Sequence, residues 1–285
     1  MKVVSQLAFL GFFSFLLSSC YTSRIVLDVP EHLSGAAQKI SVGGVRGSGF
    51  PGTKRKIKFD HEYTGTFKNG WRVESSVFDQ APGGIFSEEA FKRSLLSNYG
   101  LDINETSTSE RDKFQFRVSD KQQSVLVLCK QLTSSNGTSY RYKNKREISI
   151  LNKESSNFTA VVSILNESVN KGWRMEMTNV RENPDGSLFG ILQQGMPIET
   201  GVLTNGIDSL TVSPVFVRSM GKNANNASTE QAPFQVVGGY QFKNGEQVVG
   251  IVDLFNPTVW LFPSTDSKHK VIITAASTAL LLRNR

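Results

Sequence analysis

The sequence predicts a mainly β domain in which about twelve antiparallel strands close into a barrel around an apolar C-terminal helix. Three observations lead to this prediction. Short runs rich in β-branched and aromatic residues recur along the chain, Asn-Gly dipeptides lie between several of them, and residues 271–282 carry no charge. A two-sheet β-sandwich is the alternative, because the same succession of strands and turns is typical of both architectures.

Length and composition are those of a globular domain. The chain has 285 residues, of which 39% are hydrophobic and 20% are charged. This composition excludes a collagen-like, coiled-coil or wholly disordered chain. The net charge of +7 suits proximity to anionic lipid or polyanions without requiring either.

The first 19 residues resemble a lipoprotein signal peptide. Lys2 supplies the positive start, and the apolar stretch 7–17 is too short to span a bilayer. The sequence Leu17-Ser18-Ser19-Cys20 then resembles the bacterial lipobox, in which the cysteine thiol receives a diacylglycerol and becomes the mature N-terminus. We therefore expect Cys20 to be a lipid attachment site. An ordinary secretory signal followed by a chance cysteine is the alternative.

The chain after the predicted signal peptide divides into two parts. We expect residues 20–37 to form a tether and residues 38–285 a single β-rich domain. No acidic export signal follows Cys20 in Tyr21-Thr22-Ser23, which favours the periplasmic face of the outer membrane over the cell surface.

Cys129 ends the apolar run 125–129, which predicts a buried thiol in a strand rather than a reactive nucleophile.

The strand predictions begin with a long alternating segment and continue to the last quarter of the chain. They cover residues 56–67, 71–78, 114–119, 124–129, 140–151, 158–165, 173–180, 188–192, 210–218, 234–242, 247–253 and 258–262. Asn-Gly favours the positive φ of a type I′ hairpin turn. Such pairs stand at Asn69-Gly70, Asn136-Gly137, Asn205-Gly206 and Asn244-Gly245.

Two segments predict helices. Residues 87–98 begin with Ser87 as a candidate cap and are followed by Gly100, a typical helix stop. Residues 271–282 have no polar face, so a helix there must be buried, and twelve residues are too few to cross a bilayer. A closed barrel of about twelve strands is wider than its own side chains can fill, and this helix would occupy the space.

Motifs for catalysis and metal binding are not recognisable. The three histidines have no metal-ligand spacing to one another or to a thiol, and no Gly-x-Ser-x-Gly elbow is present. In Asp60-His61-Glu62 a strand would place the histidine on the opposite face from both carboxylates. The sequence therefore predicts no catalytic residue, no metal site and no cofactor.

Two basic clusters are the candidate binding residues. The first contains Lys54, Arg55, Lys56 and Lys58, and the second contains Arg141, Lys143 and Lys145. Alternation along a strand places the three lysines of the first cluster on one face and the three residues of the second likewise. Each row is interpreted either as solvated exterior or as an anion site for lipid head groups or lipopolysaccharide phosphate. The secreted location argues against nucleic acid as a partner.

Several segments resemble a family of uncharacterised Bacteroidota lipoproteins. They are Lys39-Ile40-Ser41-Val42 to Lys58-Phe59, Phe67-Lys68-Asn69-Gly70-Trp71, Ser75-Ser76, Gly239-Tyr240-Gln241-Phe242, Val248-Val249-Gly250-Ile251-Val252 and Ala279-Leu280-Leu281-Leu282. The resemblance implies a lipid-anchored protein, and it supplies no activity that could be carried over to this chain. The order of the final elements is also similar to tubby-like and scramblase-like domains, which implies a closed barrel around a hydrophobic C-terminal helix.

Three functions remain open. The first is a non-catalytic lipoprotein that serves as an envelope structural or interaction module, and the lack of catalytic motifs favours it. The second is a lipid or anionic head-group binder that uses the basic rows. The third is a hydrolase with an unrecognised site, for which a pocket joining His61 or His269 to a carboxylate would be needed.

Overall fold

The structure of the protein, a computed structural model, describes residues 24–46, 52–60, 63–79, 101–120, 123–142, 146–165, 172–182, 198–221 and 236–283. Within these ranges the fold is mainly β. The strands are β1 Arg24–Leu27, β2 Gln38–Gly43, β3 Lys54–Phe59, β4 Thr64–Lys68, β5 Arg72–Asp79, β6 Leu101–Ser119, β7 Ser124–Tyr142, β8 Arg146–Ile164, β9 Trp173–Glu182, β10 Thr200–Thr204, β11 Ser209–Gly221, β12 Val237–Asn244, β13 Gln247–Asp253 and β14 Thr258–Leu261. The helices are α1 Glu31–Ala36 and α2 Ser267–Arg283.

Twelve of the strands form a closed antiparallel barrel, as the sequence predicts. The hydrogen-bonded order is β11-β10-β9-β8-β7-β6-β4-β3-β2-β14-β13-β12, and β12 pairs with β11 to close the ring. Closure removes the free edges that a sandwich would leave. Strands β1 and β5 lie outside the ring, where β1 pairs with β11 and β5 pairs with β6.

Helix α2 fills the barrel. Its twelve consecutive residues from Val271 to Leu282 are all buried, which confirms the prediction made from their lack of charge. Two hydroxyl groups in this stretch are satisfied within the helix, since Thr274 and Thr278 donate to the carbonyl oxygens four residues earlier at 2.8 and 2.7 Å. A Cβ at Gly250 of β13 would lie 2.6 Å from Ile273 Cγ2, so the glycine allows the helix to approach the wall closely.

Part of the segment predicted as a tether is folded against the barrel. β1 and α1 lie within residues 24–36, and Leu27 and Val29 are buried. They pack in a second apolar cluster with Val215, Ile251 and Phe262, on the outside of the wall that α2 covers from within. Both faces of β13 are therefore buried, and the apolar residues before residue 30 provide the outer cover.

Strands β6 to β9 continue past the barrel and, together with β5, form a sheet that we call the arm. It consists of residues 72–79, 101–112, 131–142, 146–157 and 179–182, beyond the points where β4 pairs with β6 and β10 pairs with β9. Polar side chains bond across it, as between Ser107 Oγ and Asn136 Oδ1 at 2.9 Å. Its central part, residues 106–110 and 133–139, contains no apolar side chain.

Several of the turn and strand predictions are wrong, and two of them fall in the arm. Asn136-Gly137 lies inside β7 beside a register shift, not in a turn between strands. The segment 140–151 predicted as one strand belongs to two, because β7 ends at Tyr142 and β8 begins at Arg146. Likewise, the predicted strand 56–67 is divided between β3 and β4.

The turn predictions have mixed outcomes. The hairpin turns at Asn205-Gly206 and Asn244-Gly245 are confirmed, with φ of 89° and 58° at the two glycines. Asn69-Gly70 instead separates β4 from β5, which both pair with β6. The predicted helix 87–98 and strand 188–192 lie outside the described residues.

Candidate functional site

A cationic surface lies on the outside of β3, β4, β6 and β7, and we call it the basic face. Antiparallel register sets Lys54 beside Lys68, and Thr66 links Lys56 to Arg117 across neighbouring strands. All of its cationic side chains are exposed. They belong to Lys54, Lys56, Lys58, Lys68, Lys113, Arg117 and Lys130.

Strand alternation creates this face. Ile57 is buried between exposed Lys56 and Lys58, and in β6 the buried Phe114, Phe116 and Val118 alternate with outward-facing residues. Arg55 is separated from the lysines, because its guanidinium lies 4.9 Å from the ring centroid of Phe67 and donates to the Arg46 carbonyl oxygen at 3.2 Å. The candidate anion ligands in this strand are therefore the three lysines.

A shallow depression of about 610 Å³ lies in the basic face. Its lining includes Lys56, Lys58 and Arg117, together with hydroxyl groups of Thr64 and Ser119. Ammonium, guanidinium and hydroxyl donors of this kind suit a phosphate or carboxylate group. The depression is open, so it can accept part of a surface-bound ligand but cannot exclude water from a reaction.

A groove of about 430 Å³ lies where β4 ends and β5 begins. Trp71 stands at this break with 73% of its surface exposed, and Lys68, Lys113 and Leu128 line the groove with it. The backbone here is tightly fixed. A Cβ at Gly70 would lie only 1.6 Å from the Lys113 carbonyl oxygen, so the residue before the tryptophan must be glycine for the strands to approach.

A buried polar cluster closes one end of the barrel where α2 ends. The Arg283 guanidinium donates to both carboxylate oxygens of Glu199 at 2.5 and 2.6 Å and to Ser156 Oγ at 2.9 Å. Tyr240 donates to Glu199 at 3.0 Å. The Arg283 and Glu199 side chains are each only 10% exposed. This pair fixes the last residue of the helix to the strand wall.

The pKa values of the cluster agree with a fixed ion pair. Burial raises the pKa of Glu199, but the hydrogen bonds and charge of Arg283 outweigh burial and hold that pKa below its usual value. Burial and the Glu199 carboxylate raise the pKa of Tyr240 far above its usual value. The tyrosine therefore stays protonated as a donor, and the glutamate stays charged as an acceptor.

The hydrolase hypothesis required a histidine joined to a carboxylate, and His269 is one. Its Nδ1 contacts Asp266 Oδ2, while its backbone N–H donates to the other carboxylate oxygen of Asp266 at 2.9 Å. Asp266 directly precedes α2, so this arrangement caps the helix. The edge of the His269 ring also packs on Trp173 at 5.3 Å between centroids. Structural contacts thus account for the pair.

The other predicted site residues are only partly placed. Cys20, His61, Lys143 and Lys145 lie outside the described residues. Arg141 is in β7 opposite Glu147 of β8, so the second basic cluster cannot form one row along a single strand. Cys129 is buried in β7, as predicted.

Sequence reasoning missed most of the residues that surround the predicted lysines. Lys68, Lys113, Arg117 and Lys130 join the basic face through strand pairing. A signal for two of them existed, because Lys113 and Arg117 alternate with buried aromatic and aliphatic residues. Their proximity to β3 depends on β4 lying between β3 and β6, which the local pattern does not reveal.

No family model, curated protein or solved structure matches the chain. The described residues contain no group of three or more histidine, cysteine, aspartate or glutamate side chains that could hold a metal ion. Neither of the two described helices is long and apolar enough to cross a membrane.

Proposed function

We propose that this chain is a bacterial lipoprotein, anchored through Cys20 on the periplasmic side of the outer membrane, whose domain acts as a non-catalytic interaction module of the envelope. The observation that carries the proposal is the filled barrel. Because α2 occupies the interior along Val271 to Leu282, the wall presents its outer surface, rather than an internal cavity, to a ligand or partner.

The start of the fold also suits a membrane anchor. β1 begins at Arg24, and four residues from Cys20 to Arg24 span at most about 14 Å. The strand is fixed to the barrel by its pairing with β11 and by the burial of Leu27. A lipid on Cys20 would therefore hold the domain close to the bilayer rather than at the end of a long flexible linker.

Replacing the two cysteines one at a time tests the anchor. Cys20→Ser should leave the chain unprocessed or move it to the soluble fraction, because a serine hydroxyl cannot receive the thioether-linked lipid. Cys129→Ser is the matched control, since that thiol is buried in β7 and should not affect fractionation. The anchor proposal fails if the Cys20 variant matures and fractionates with membranes like the parent chain.

The basic face favours a second candidate, binding of anionic lipid head groups. Seven exposed cations cluster on four neighbouring strands, and this cluster attracts an anionic surface. The full chain should bind phosphatidylcholine vesicles more strongly when phosphatidylglycerol is included, and added salt should weaken that binding.

Charge location is tested with two matched triple variants. Replacing Lys54, Lys56 and Lys58 by glutamine should reduce binding to the anionic vesicles. Replacing Arg174, Arg218 and Lys243 by glutamine removes the same charge from strands β9, β11 and β12 and should have a smaller effect. Equal losses from the two variants would show that net charge, not the basic face, controls binding.

A further inference from the structure

We propose that the groove beside Trp71 binds an anionic sugar, namely a pyranose ring that carries a carboxylate or phosphate group. This inference rests on the proposed role as a non-catalytic binding module and names a ligand class for it. Four features carry the argument: an exposed indole, a rigid backbone beneath it, an excess of lysine, and polar lining groups.

The indole provides a flat surface for a sugar ring. Trp71 is 73% exposed although it follows directly on the tightly packed Gly70. The face of an aromatic ring is electron-rich, and the C–H groups on one face of a pyranose are apolar and slightly positive. Leu128, 47% exposed, adds apolar surface to the same groove.

The backbone holds this surface in place before a ligand arrives. Lys113 donates from its backbone N–H to the Trp71 carbonyl oxygen at 3.0 Å. Asn69 is buried, and its side-chain amide donates to Thr53 Oγ1 at 2.8 Å. Two backbone hydrogen bonds also join Asn69 to Gly52 and Thr53. Preorganisation of this kind reduces the ordering cost of binding.

The charge around the groove selects an anion. Lys68 and Lys113 line it, and register places Lys54 opposite Lys68 and Lys130 opposite Lys113. The nearest acidic residues on β6, Glu110 and Asp112, alternate onto the other face of the sheet. Glu110 is also paired with Arg72 at 2.7 Å. The lysines therefore keep a positive potential on the Trp71 side.

The combination distinguishes a sugar from simpler ligands. An inorganic anion would use the lysines but not the indole, and an acyl chain would not match a groove lined by Lys68, Asn69, Lys113 and Gln115. The amide of the half-buried Gln115 can hydrogen-bond to ring hydroxyls. The volume of about 430 Å³ is within the range of small-molecule sites, roughly 300 to 1,000 Å³.

Calorimetric titration of the full chain tests the proposal with three soluble probes. Oligogalacturonate has both the ring and the carboxylates, maltohexaose has only the rings, and citrate has only the carboxylates. We expect oligogalacturonate to bind at least about tenfold more tightly than either of the other two. Vesicles that contain a bisphosphorylated glucosamine lipid test the same chemistry in a membrane-bound source.

Groove variants then locate the binding. Trp71→Ala, and separately Lys68→Gln with Lys113→Gln, should each weaken binding about tenfold or more. Ile207→Ala is the matched apolar control because it is 93% exposed and lies between β10 and β11. Arg218→Gln with Lys243→Gln is the matched charge control, because these residues lie on β11 and β12, away from the basic face. Both controls should bind the sugar within about twofold of the parent.

The outcomes separate this inference from the anchor. The groove is supported if oligogalacturonate or the vesicles with the glucosamine lipid bind and if this binding depends on Trp71. Which of the two binds identifies the source of the sugar. The proposal is overturned if neither oligogalacturonate nor the glycolipid vesicles bind, or if Trp71→Ala leaves their binding unchanged. Cys20→Ser should leave sugar binding by the full chain intact, so the groove and the anchor can fail independently.

Discussion

Replacing Glu199 by glutamine should destabilise the barrel by about 3 kcal/mol, because it leaves the Arg283 guanidinium buried without its counter-charge. The wild-type pair has two hydrogen bonds, at 2.5 and 2.6 Å, and each side chain is only 10% exposed. Tyr240 would lose its charged acceptor as well. For a chain of this size the loss corresponds to a melting temperature lower by roughly 6–12 °C.

Urea unfolding at neutral pH measures this change, and a double-mutant cycle with Arg283→Met assigns it to the pair. The double variant should be more stable than the sum of the single losses predicts, with a coupling of about 1–3 kcal/mol. Glu176→Gln is the matched control. It breaks an ion pair with Arg174 whose side chains are 51% and 61% exposed, and it should cost less than about 1 kcal/mol. If Glu199→Gln costs no more than this control, the cluster does not fix the helix.

Three further predictions concern pH, the thiol and the lysines. Because the pKa of Glu199 is lowered in the fold, its contribution to stability should be complete above its unfolded pKa of about 4.3 and decline as pH falls toward the folded value, and Glu199→Gln should flatten this acid dependence in urea titrations. Cys129, 5% exposed, should react with a maleimide in urea but resist it in buffer, and equal rates would contradict its burial in β7. Replacing the three lysines of β3 by glutamine should change the free energy of unfolding by less than about 0.5 kcal/mol, whereas adding Arg55→Gln should cost more because Arg55 packs over Phe67; equal melts of the two variants would refute that contact.

The barrel could be predicted from the sequence where strands have one apolar face or one clear turn. Asn205-Gly206 and Asn244-Gly245 specify hairpins because the glycine takes a positive φ. The uncharged segment 271–282 specifies a buried helix because it offers no face to water. These local signals, with the need to fill a wide barrel, were enough to predict the architecture.

The central part of the arm could not be predicted because residues 106–110 and 133–139 include no apolar side chain. Residues such as Ser107 and Asn136 pair across strands by hydrogen bonds, so no alternation of apolar and polar residues marks them. Asn136-Gly137 has the composition of a turn, yet it lies within β7 where the neighbouring strand shifts register. Pairing with long neighbouring strands overrides the local preference.

The candidate surfaces were predictable only in part. Alternation placed the lysines of β3 on one face, and the structure agrees. The addition of Arg117 and Lys113 depends on β4 bringing β3 beside β6, which is a long-range contact. Exposure of Trp71 was not predicted, since an aromatic residue at the start of a strand is more often buried.

The central claim, that α2 fills a closed barrel, is tested most directly by unfolding measurements on three charge insertions. Ile273, Thr278 and Ala279 lie on three different sides of the helix, because successive residues are about 100° apart, and all three are fully buried. Aspartate at any one of them should cost several kcal/mol or prevent folding, because each carboxylate would be buried without a partner. Ser267→Asp, at the exposed start of α2, should be tolerated. A change of less than about 0.5 kcal/mol at any one of the three buried positions would contradict the claim.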